Sequence, residues 1–162
     1  MAISQPMKWI LWVIGAFVSI FVVAVFLTTW LFSSLLGDQS KDEVARVVSP
    51  TGKVDAVLFE TNSGATTSFG YEVHVVAHGA QSFGSPAVSM YGARRNQDAY
   101  GANLTWTSAD SVAVEFLSAQ FTKINSQTRS IGTQAIRISV REGIIDNSAP
   151  TGGMLYNLKG RR

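Results

Sequence analysis

The sequence predicts a mainly β protein in which one N-terminal transmembrane helix precedes a compact antiparallel β-sandwich or barrel-like domain. Residues 9–36 contain no charged residue, no amide side chain, no histidine and no proline. After Gly37 the sequence is polar and turn-rich, and about seven or eight short segments show strand patterns. No segment after Gly37 shows a convincing helical period. Short strands separated by turn signals are typical of sandwiches and barrels.

The apolar run at residues 9–36 predicts a helix that spans a lipid bilayer. The run is longer than the helix of about 20 residues that is needed to span the hydrocarbon core of a bilayer. Indole rings favour the two membrane interfaces, and a flanking lysine can reach the headgroups. The expected interface residues are therefore Lys8, Trp9 and Trp12 at one end of the helix and Trp30 at the other.

A cleaved signal peptide is the alternative for this run. Signal peptides have an apolar region of about 7–15 residues, and Leu35 fits poorly before the best cleavage site, so an uncleaved anchor is favoured. For orientation, the count of Lys and Arg favours a cytoplasmic β domain, whereas net charge favours the opposite. Because long domains translocate largely regardless of charge, we expect the N-terminus inside and the β domain outside.

Composition divides the chain of 162 residues into a tail and anchor at 1–37, a short polar stalk at 38–43 and an extracytoplasmic β domain at 44–162. Of the 13 Lys and Arg residues only Lys8 precedes Gly37, which leaves twelve against 11 Asp and Glu after it. So balanced a charge makes nucleic acid an unexpected partner. The chain has no cysteine, which excludes disulfides and thiolate chemistry, and no cofactor is predicted.

The first half of the domain predicts a hairpin and two further strands. Residues 44–49 begin the β pattern, residues 54–61 are mostly apolar, and the turn Ser49-Pro50-Thr51-Gly52-Lys53 joins the two segments. Residues 71–78 alternate, with Tyr71, Val73 and Val75 expected on one face. Residues 86–91 form a short strand, and a polar loop follows it.

The second half predicts a second hairpin and a series of shorter strands. Residues 102–107 and 112–117 alternate on either side of a turn, and residues 121–125 follow as a further strand. Residues 129–145 alternate with Ile136, Ile138 and Val140 inward. Residues 154–158 are expected to form a last short strand.

The pattern S-P-x-G-K, then a strand, then G-A-T-T-[SG]-F occupies Ser49 to Phe69. This combination resembles a group of small bacterial proteins of unknown function. Thr51 stands where aspartate is more usual in that pattern. The resemblance implies a bacterial origin and an exported domain behind an N-terminal anchor or lipid signal. It supplies no catalytic residue.

The sequence discloses no catalytic or metal site. His74 and His78 are the only histidines, and four residues of strand separate them by about 13 Å, too far to share a metal ion. They are expected at the surface, beside Glu72. A G-x-S-x-G motif is absent, and Ser68, Glu72 and His74 do not form a triad as neighbours on one strand.

Two loops are candidate binding surfaces. The first carries three hydroxyls that could bond a sugar or peptide but could equally satisfy their own backbone: Thr66, Thr67 and Ser68. The second is basic and flanked by tyrosines, which are common in binding hot spots. Its candidate residues are Tyr91, Arg94, Arg95, Asp98 and Tyr100. An internal Arg–Asp pair in a solvated loop is the alternative for this second loop.

The leading functional prediction is a non-catalytic domain that binds a protein or envelope component beside the bacterial inner membrane. One form of this function is an accessory subunit of a membrane complex. The bilayer itself is the partner of residues 9–36. The alternative is an envelope hydrolase whose Ser, His and Glu site is not evident from the sequence, and a third option is a structural spacer.

Overall fold

A computed structural model describes residues 5–35, 40–64, 67–81 and 83–160. The chain forms two compact units, one up to Asp38 and one from Gln39 onward. The predicted end of the anchor at Leu36 and the start of the predicted stalk lie outside the described residues.

The described part of the first unit is one helix, α1, which spans Gln5–Leu35. Within it the segment Trp12–Thr29 has a mean hydropathy of 2.3, and none of it is buried. Hydroxyl groups along this segment bond to their own helix; for example, Ser19 Oγ donates to the Gly15 carbonyl at 2.8 Å. The helix is therefore long and apolar enough to cross a membrane.

Two of the predicted interface residues, Trp9 and Trp12, have exposed side chains near the start of α1. For Lys8 and Trp30 the structure describes only their place in the helix. The expected positions of all four at a membrane interface stay a prediction.

The described part of the second unit contains nine strands and one short helix. In chain order they are β1 (Ser40–Val48), β2 (Val54–Asn62), β3 (Gly70–Ala77), β4 (Val88–Tyr91), β5 (Asn103–Ser108), β6 (Ser111–Phe116), β7 (Phe121–Ile124), β8 (Thr128–Ile131), β9 (Gln134–Glu142) and α2 (Met154–Lys159). One sheet has the order β1-β2-β3-β4-β7 and the other β5-β6-β9-β8.

The first predicted hairpin is confirmed, because β1 and β2 pair antiparallel around the turn at residues 49–53. Gly52 has φ 70°, a conformation that glycine adopts without strain. The Ser49 hydroxyl accepts the Val54 N–H at 3.2 Å. The second predicted hairpin is confirmed in β5 and β6.

The main core lies between the two sheets, so the predicted mainly β class is confirmed as two packed sheets and not as a closed barrel. The inner faces of both sheets contribute fully buried side chains, among them Leu58, Tyr71 and Val73 from one sheet and Val114, Phe116 and Ile136 from the other. A smaller cluster of Val57, Phe59 and Val76 lies on the outer face of the first sheet. Strand β2 is therefore buried on both faces along most of its length.

Three details of the sequence prediction are wrong. Strand β9 pairs parallel with β6, because the chain passes through β7 and β8 before it returns beside β6, so the second sheet is mixed. Residues 154–158 belong to helix α2 and not to a strand. Strand β1 begins at Ser40, so residues 40–43 of the predicted stalk are already part of the sheet.

The two edges of the five-stranded sheet differ in what covers them. At the edge formed by β1, Trp106 of β5 donates its Nε1–H to the Val47 carbonyl at 3.0 Å, and α2 packs against the strand. The register of β1 also shifts between Glu43 and Ala45. We call this the sealed edge. The other edge is β7, next to β4.

Candidate binding surface

The basic loop between β4 and β5 contributes a buried arginine, Arg95, which is only 8% exposed. Its Nε donates to the Tyr100 carbonyl at 3.1 Å. Burial lowers the pKa of Arg95, and the charges of Asp146, Tyr71 and Glu60 act in the opposite direction. Arg95 therefore lies in the interior and does not offer its guanidinium to a partner.

Other members of the same loop also bond inward. The Arg94 guanidinium lies over the Tyr100 ring at 5.1 Å, and its Nη1 donates to the Gln97 carbonyl at 3.2 Å. The alternative for this loop, an internal Arg–Asp pair, is not among the ion pairs of the described residues. The Asp98 N–H donates to Asn96 Oδ1, and the Asp98 carbonyl accepts the Gly152 N–H.

Asn96 was not among the predicted residues, yet its side chain organises this loop. Its Nδ2 donates to the carbonyls of Asp146 and Ala149 at 3.0 and 3.1 Å. Its Oδ1 accepts the N–H groups of Asp98 and Ala99 at 2.9 and 2.8 Å. An asparagine that bonds the backbone two residues on is a common turn device, and this signal was present in the sequence.

A second interior polar site, also not predicted, joins the core to α2. The buried carboxylate of Glu60 accepts the Tyr71 hydroxyl and the Met154 N–H, both at 2.7 Å, and the Leu155 N–H at 3.3 Å. Burial, followed by the Glu60 charge, raises the pKa of Tyr71 well above its ordinary range. Because α2 comes late in the chain, nothing in the local sequence around Glu60 indicates this contact.

Residues from the two predicted loops do meet at one exposed place, which we call the aromatic corner: Ser68, Tyr91, Gln120 and Phe121. The Ser68 N–H donates to the Tyr91 hydroxyl at 2.9 Å, and Gln120 Nε2 donates to Ser68 Oγ at 3.4 Å. Tyr91 lies opposite Phe121 in the β4–β7 register. The two aromatic side chains remain 38% and 58% exposed.

Of the remaining hydroxyl-loop candidates, Thr67 is exposed and bonds locally, from its Oγ1 to the Gly64 carbonyl at 3.1 Å. Thr66 lies outside the described residues. The sequence could not indicate that Phe121 would join this group, because strand order places β7 beside β4 although residues 92–120 lie between them.

His74 is buried, which corrects the expectation that both histidines lie at the surface. Its Nδ1 lies 3.1 Å from the Phe83 carbonyl and its Nε2 3.2 Å from Glu72 Oε2. The ring packs edge-on against Phe59 and Phe83. Phe83 comes from the segment after β3 and covers this part of the outer face, which a strand pattern alone does not show.

His78 is exposed, and its Nδ1 lies 2.8 Å from Oδ1 of Asp55, whose side chain is fully buried. Asp55 also accepts the Gly79 N–H at 3.0 Å and Arg46 Nη1 at 2.8 Å. Burial alone would raise the pKa of Asp55, but the bonds from His78, Gly79 and Arg46 together lower it below its ordinary value. A buried carboxylate thus orients one exposed imidazole.

Among the described residues no hydrogen bond joins Ser68 to His74 or Glu72. Ser68 bonds to Tyr91 and Gln120, whereas His74 contacts Glu72 and Phe83, all within the part of the chain that is described. In that same part no three His, Cys, Asp or Glu residues are grouped so that they could hold a metal ion.

Comparison of the chain with family models, with curated proteins and with solved structures finds no match in any of the three. The resemblance seen in the S-P-x-G-K pattern therefore stays a prediction.

The aromatic corner has the composition of a contact surface. Two aromatic residues occupy opposite positions on adjacent strands, and a serine and a glutamine beside them carry polar groups. Aromatic side chains supply large contact areas at low cost in conformational entropy. By contrast, the groove near α2 is lined by Pro150, Tyr156, Asn157, Lys159 and Gly160, and Asn157 is already bonded to nearby carbonyls.

Proposed function

We propose that this protein is a single-pass, membrane-anchored binding module of the bacterial inner membrane, with its β domain outside the cytoplasm. The domain binds a protein or another envelope component without catalysing a reaction, and one form of this function is an accessory subunit of a membrane complex. The observation that carries the proposal is the aromatic corner, where Tyr91 and Phe121 remain exposed on two paired strands.

Two features support this assignment of the corner. The Tyr91 hydroxyl is hydrogen-bonded to the Ser68 N–H, and an aromatic side chain has only two torsions, so a partner that covers the corner immobilises few additional torsions. Buried aromatic side chains also dominate the binding energy of many protein interfaces. The basic loop that the sequence favoured is less suited, because Arg95 is buried and Arg94 is stacked on Tyr100.

Support for the anchor comes from α1, whose apolar side chains are exposed along most of the described helix. Such a surface is stable in lipid and unfavourable in water. The proposed orientation is tested by fusing a reporter to the C-terminus. Alkaline phosphatase activity is expected, and fluorescence from a cytoplasmic green fluorescent protein fusion would contradict the proposed orientation.

The binding role is tested by site-specific photo-crosslinking of the full chain in cells. A benzoylphenylalanine at position 121 is expected to give a discrete adduct, whereas the same residue at position 156 is not. Tyr156 is the matched control because it is an exposed aromatic residue, 76% exposed, on a different element. The adduct should disappear when Tyr91→Ser is added, and its persistence would remove the corner from the proposal.

The hydrolase alternative makes the opposite prediction for a chemical probe. A serine-reactive fluorophosphonate is expected to leave the purified full chain unlabelled. Labelling that is lost on heat denaturation would favour the alternative, and mapping the labelled serine would then identify the site.

A further inference from the structure

Strand β7 is the last strand of the five-stranded sheet, and its outer edge has no strand partner within the described residues. Its register with β4 pairs Tyr91 with Phe121 and Ser89 with Lys123. An unpaired strand edge presents backbone N–H and C=O groups at the spacing of a sheet ladder. What such an edge can bind depends on which residues direct those groups outward.

The hydrogen bonds beside β7 show which of its backbone N–H and C=O groups face the open edge. The Asn125 N–H donates to the Ala87 carbonyl at 2.8 Å, so this pair continues the ladder between β4 and β7. Hydrogen-bonded pairs in an antiparallel ladder alternate with pairs that are not bonded. Lys123 and Phe121 therefore direct their backbone groups toward β4, and Thr122 and Ile124 direct theirs toward the open edge.

The side chains of β7 add to this pattern. Phe121 is 58% exposed on the outer face, beside Tyr91, and Ile124 is 45% exposed on the other face. Lys123 is exposed and forms no ion pair with any described residue. The edge thus combines free backbone groups, an apolar residue on each face and one positive charge.

The opposite edge of the same sheet lacks this combination. At the sealed edge a backbone carbonyl of β1 is bonded to Trp106, and a β-bulge interrupts the strand between Glu43 and Ala45. Bulges and covering side chains are the usual means by which proteins prevent edge pairing. On β7 the shortness of the strand and Lys123 restrict pairing but do not cover the backbone.

We propose that β7 binds an extended polypeptide segment of the partner, which adds to the five-stranded sheet as a sixth strand. This inference rests on the proposed function, and it names the class of partner and the mode of binding. Alternating backbone donors and acceptors select an extended chain over a helix or a glycan. Lys123 selects an acidic side chain near the centre of that segment, and Phe121 selects an apolar side chain beside it.

The test uses the full chain in lipid nanodiscs and a phage library of short linear peptides. Enriched peptides are expected to combine alternating apolar residues with a central Asp or Glu. The best peptide is then synthesised with single N-methyl groups at successive backbone nitrogens. Loss of binding at every second position is the signature of strand addition, because only alternate amides of an added strand face β7.

Variants of Thr122 test the same contact from the side of the protein. Thr122→Pro removes an N–H that faces the open edge, and proline is tolerated on edge strands for that reason. It is expected to weaken peptide binding about tenfold, the effect of one backbone hydrogen bond. Thr122→Val keeps the N–H and is the matched control, and unfolding measurements show whether each variant is folded.

A third variant, Lys123→Glu, leaves the backbone unchanged and is expected to shift the selected peptides from acidic to basic. Failure to enrich any peptide, or uniform tolerance of N-methyl groups, would overturn strand addition. Self-association of the chain through β7, seen as a dimer that Thr122→Pro dissociates, would also overturn it. If the crosslink at position 121 persists in any of these cases, the proposed function stands without strand addition; if it is missing as well, both fail.

Discussion

The two edge strands of the five-stranded sheet, the nine-residue β1 and the four-residue β7, lie in different surroundings. At β1, the Trp106 indole, the β-bulge and α2 all act on the edge. At β7, no described element plays an equivalent part. The difference shows that side chains and elements from distant parts of the chain determine whether a strand edge is covered or open.

The largest expected effect concerns Glu60, which holds α2 beside the sealed edge. Glu60→Ala leaves the Tyr71 hydroxyl and the Met154 N–H without their buried acceptor. Unsatisfied buried donors are costly, so the free energy of unfolding should fall by about 3 kcal/mol. Pulse proteolysis of the full chain in urea measures this change. Glu60→Gln keeps an acceptor and should lose less, and an equal loss in both variants would contradict the role of the hydrogen bonds.

The next effect concerns Asp55, which ties β2 to Arg46 of β1. The folded protein lowers the pKa of Asp55 below its ordinary value of 3.8, so the folded state binds fewer protons than the unfolded state near that pH. The stability from ionised Asp55 is therefore complete above the ordinary carboxyl range and is lost as pH falls through the lowered pKa.

Asp55→Asn should accordingly lower the free energy of unfolding at neutral pH by about 2 kcal/mol, as expected for a buried hydrogen-bonded charge. The difference in the free energy of unfolding between the variant and the original protein should become smaller as pH falls below about 4. Asp98→Asn, at an exposed position, is the control and should leave the pH profile unchanged. A gap that stays constant down to low pH would show that the ionised form of Asp55 does not carry the effect.

The smallest effect compares one aromatic residue at each edge. Trp106→Phe removes the donor to the Val47 carbonyl and should lower the free energy of unfolding by about 1 kcal/mol. Phe121→Ser, at the open edge, should change it by less than about 0.5 kcal/mol because that ring is largely exposed. Urea titrations of the two variants, run in parallel, measure the difference. Equal losses in the free energy of unfolding would contradict the proposed difference between the two edges.

A second lesson comes from the basic loop. Its composition predicted a contact surface at Arg94 and Arg95, but Arg95 is buried, and the Asn96 side chain bonds the backbone of its own loop and of the segment near Asp146. Composition identifies the residue types that bind partners, but the same types also form hydrogen bonds between a long loop and its own domain. Whether such residues contact a partner or their own domain depends on how the loop packs, and a single sequence does not show that packing.

The exposed corner was predicted in part. The sequence singled out Ser68 and Tyr91, and the structure brings these two together. It did not indicate Gln120 or Phe121, because their place beside β4 follows from the strand order. Likewise, the burial of His74 depends on Phe83, which comes from a connection without a periodic pattern.

By itself, the sequence determined the local features of this protein. The apolar run of α1, the turn chemistry of the two hairpins and the alternation of strands such as β3 and β9 all depend on neighbouring residues, so a single sequence displays them. Only the tertiary structure decided the strand order, the parallel pairing of β6 with β9, the acceptor role of Glu60 and the contrast between the two edges. These depend on contacts between residues far apart in the chain, whose free energies are set by packing and leave no local pattern.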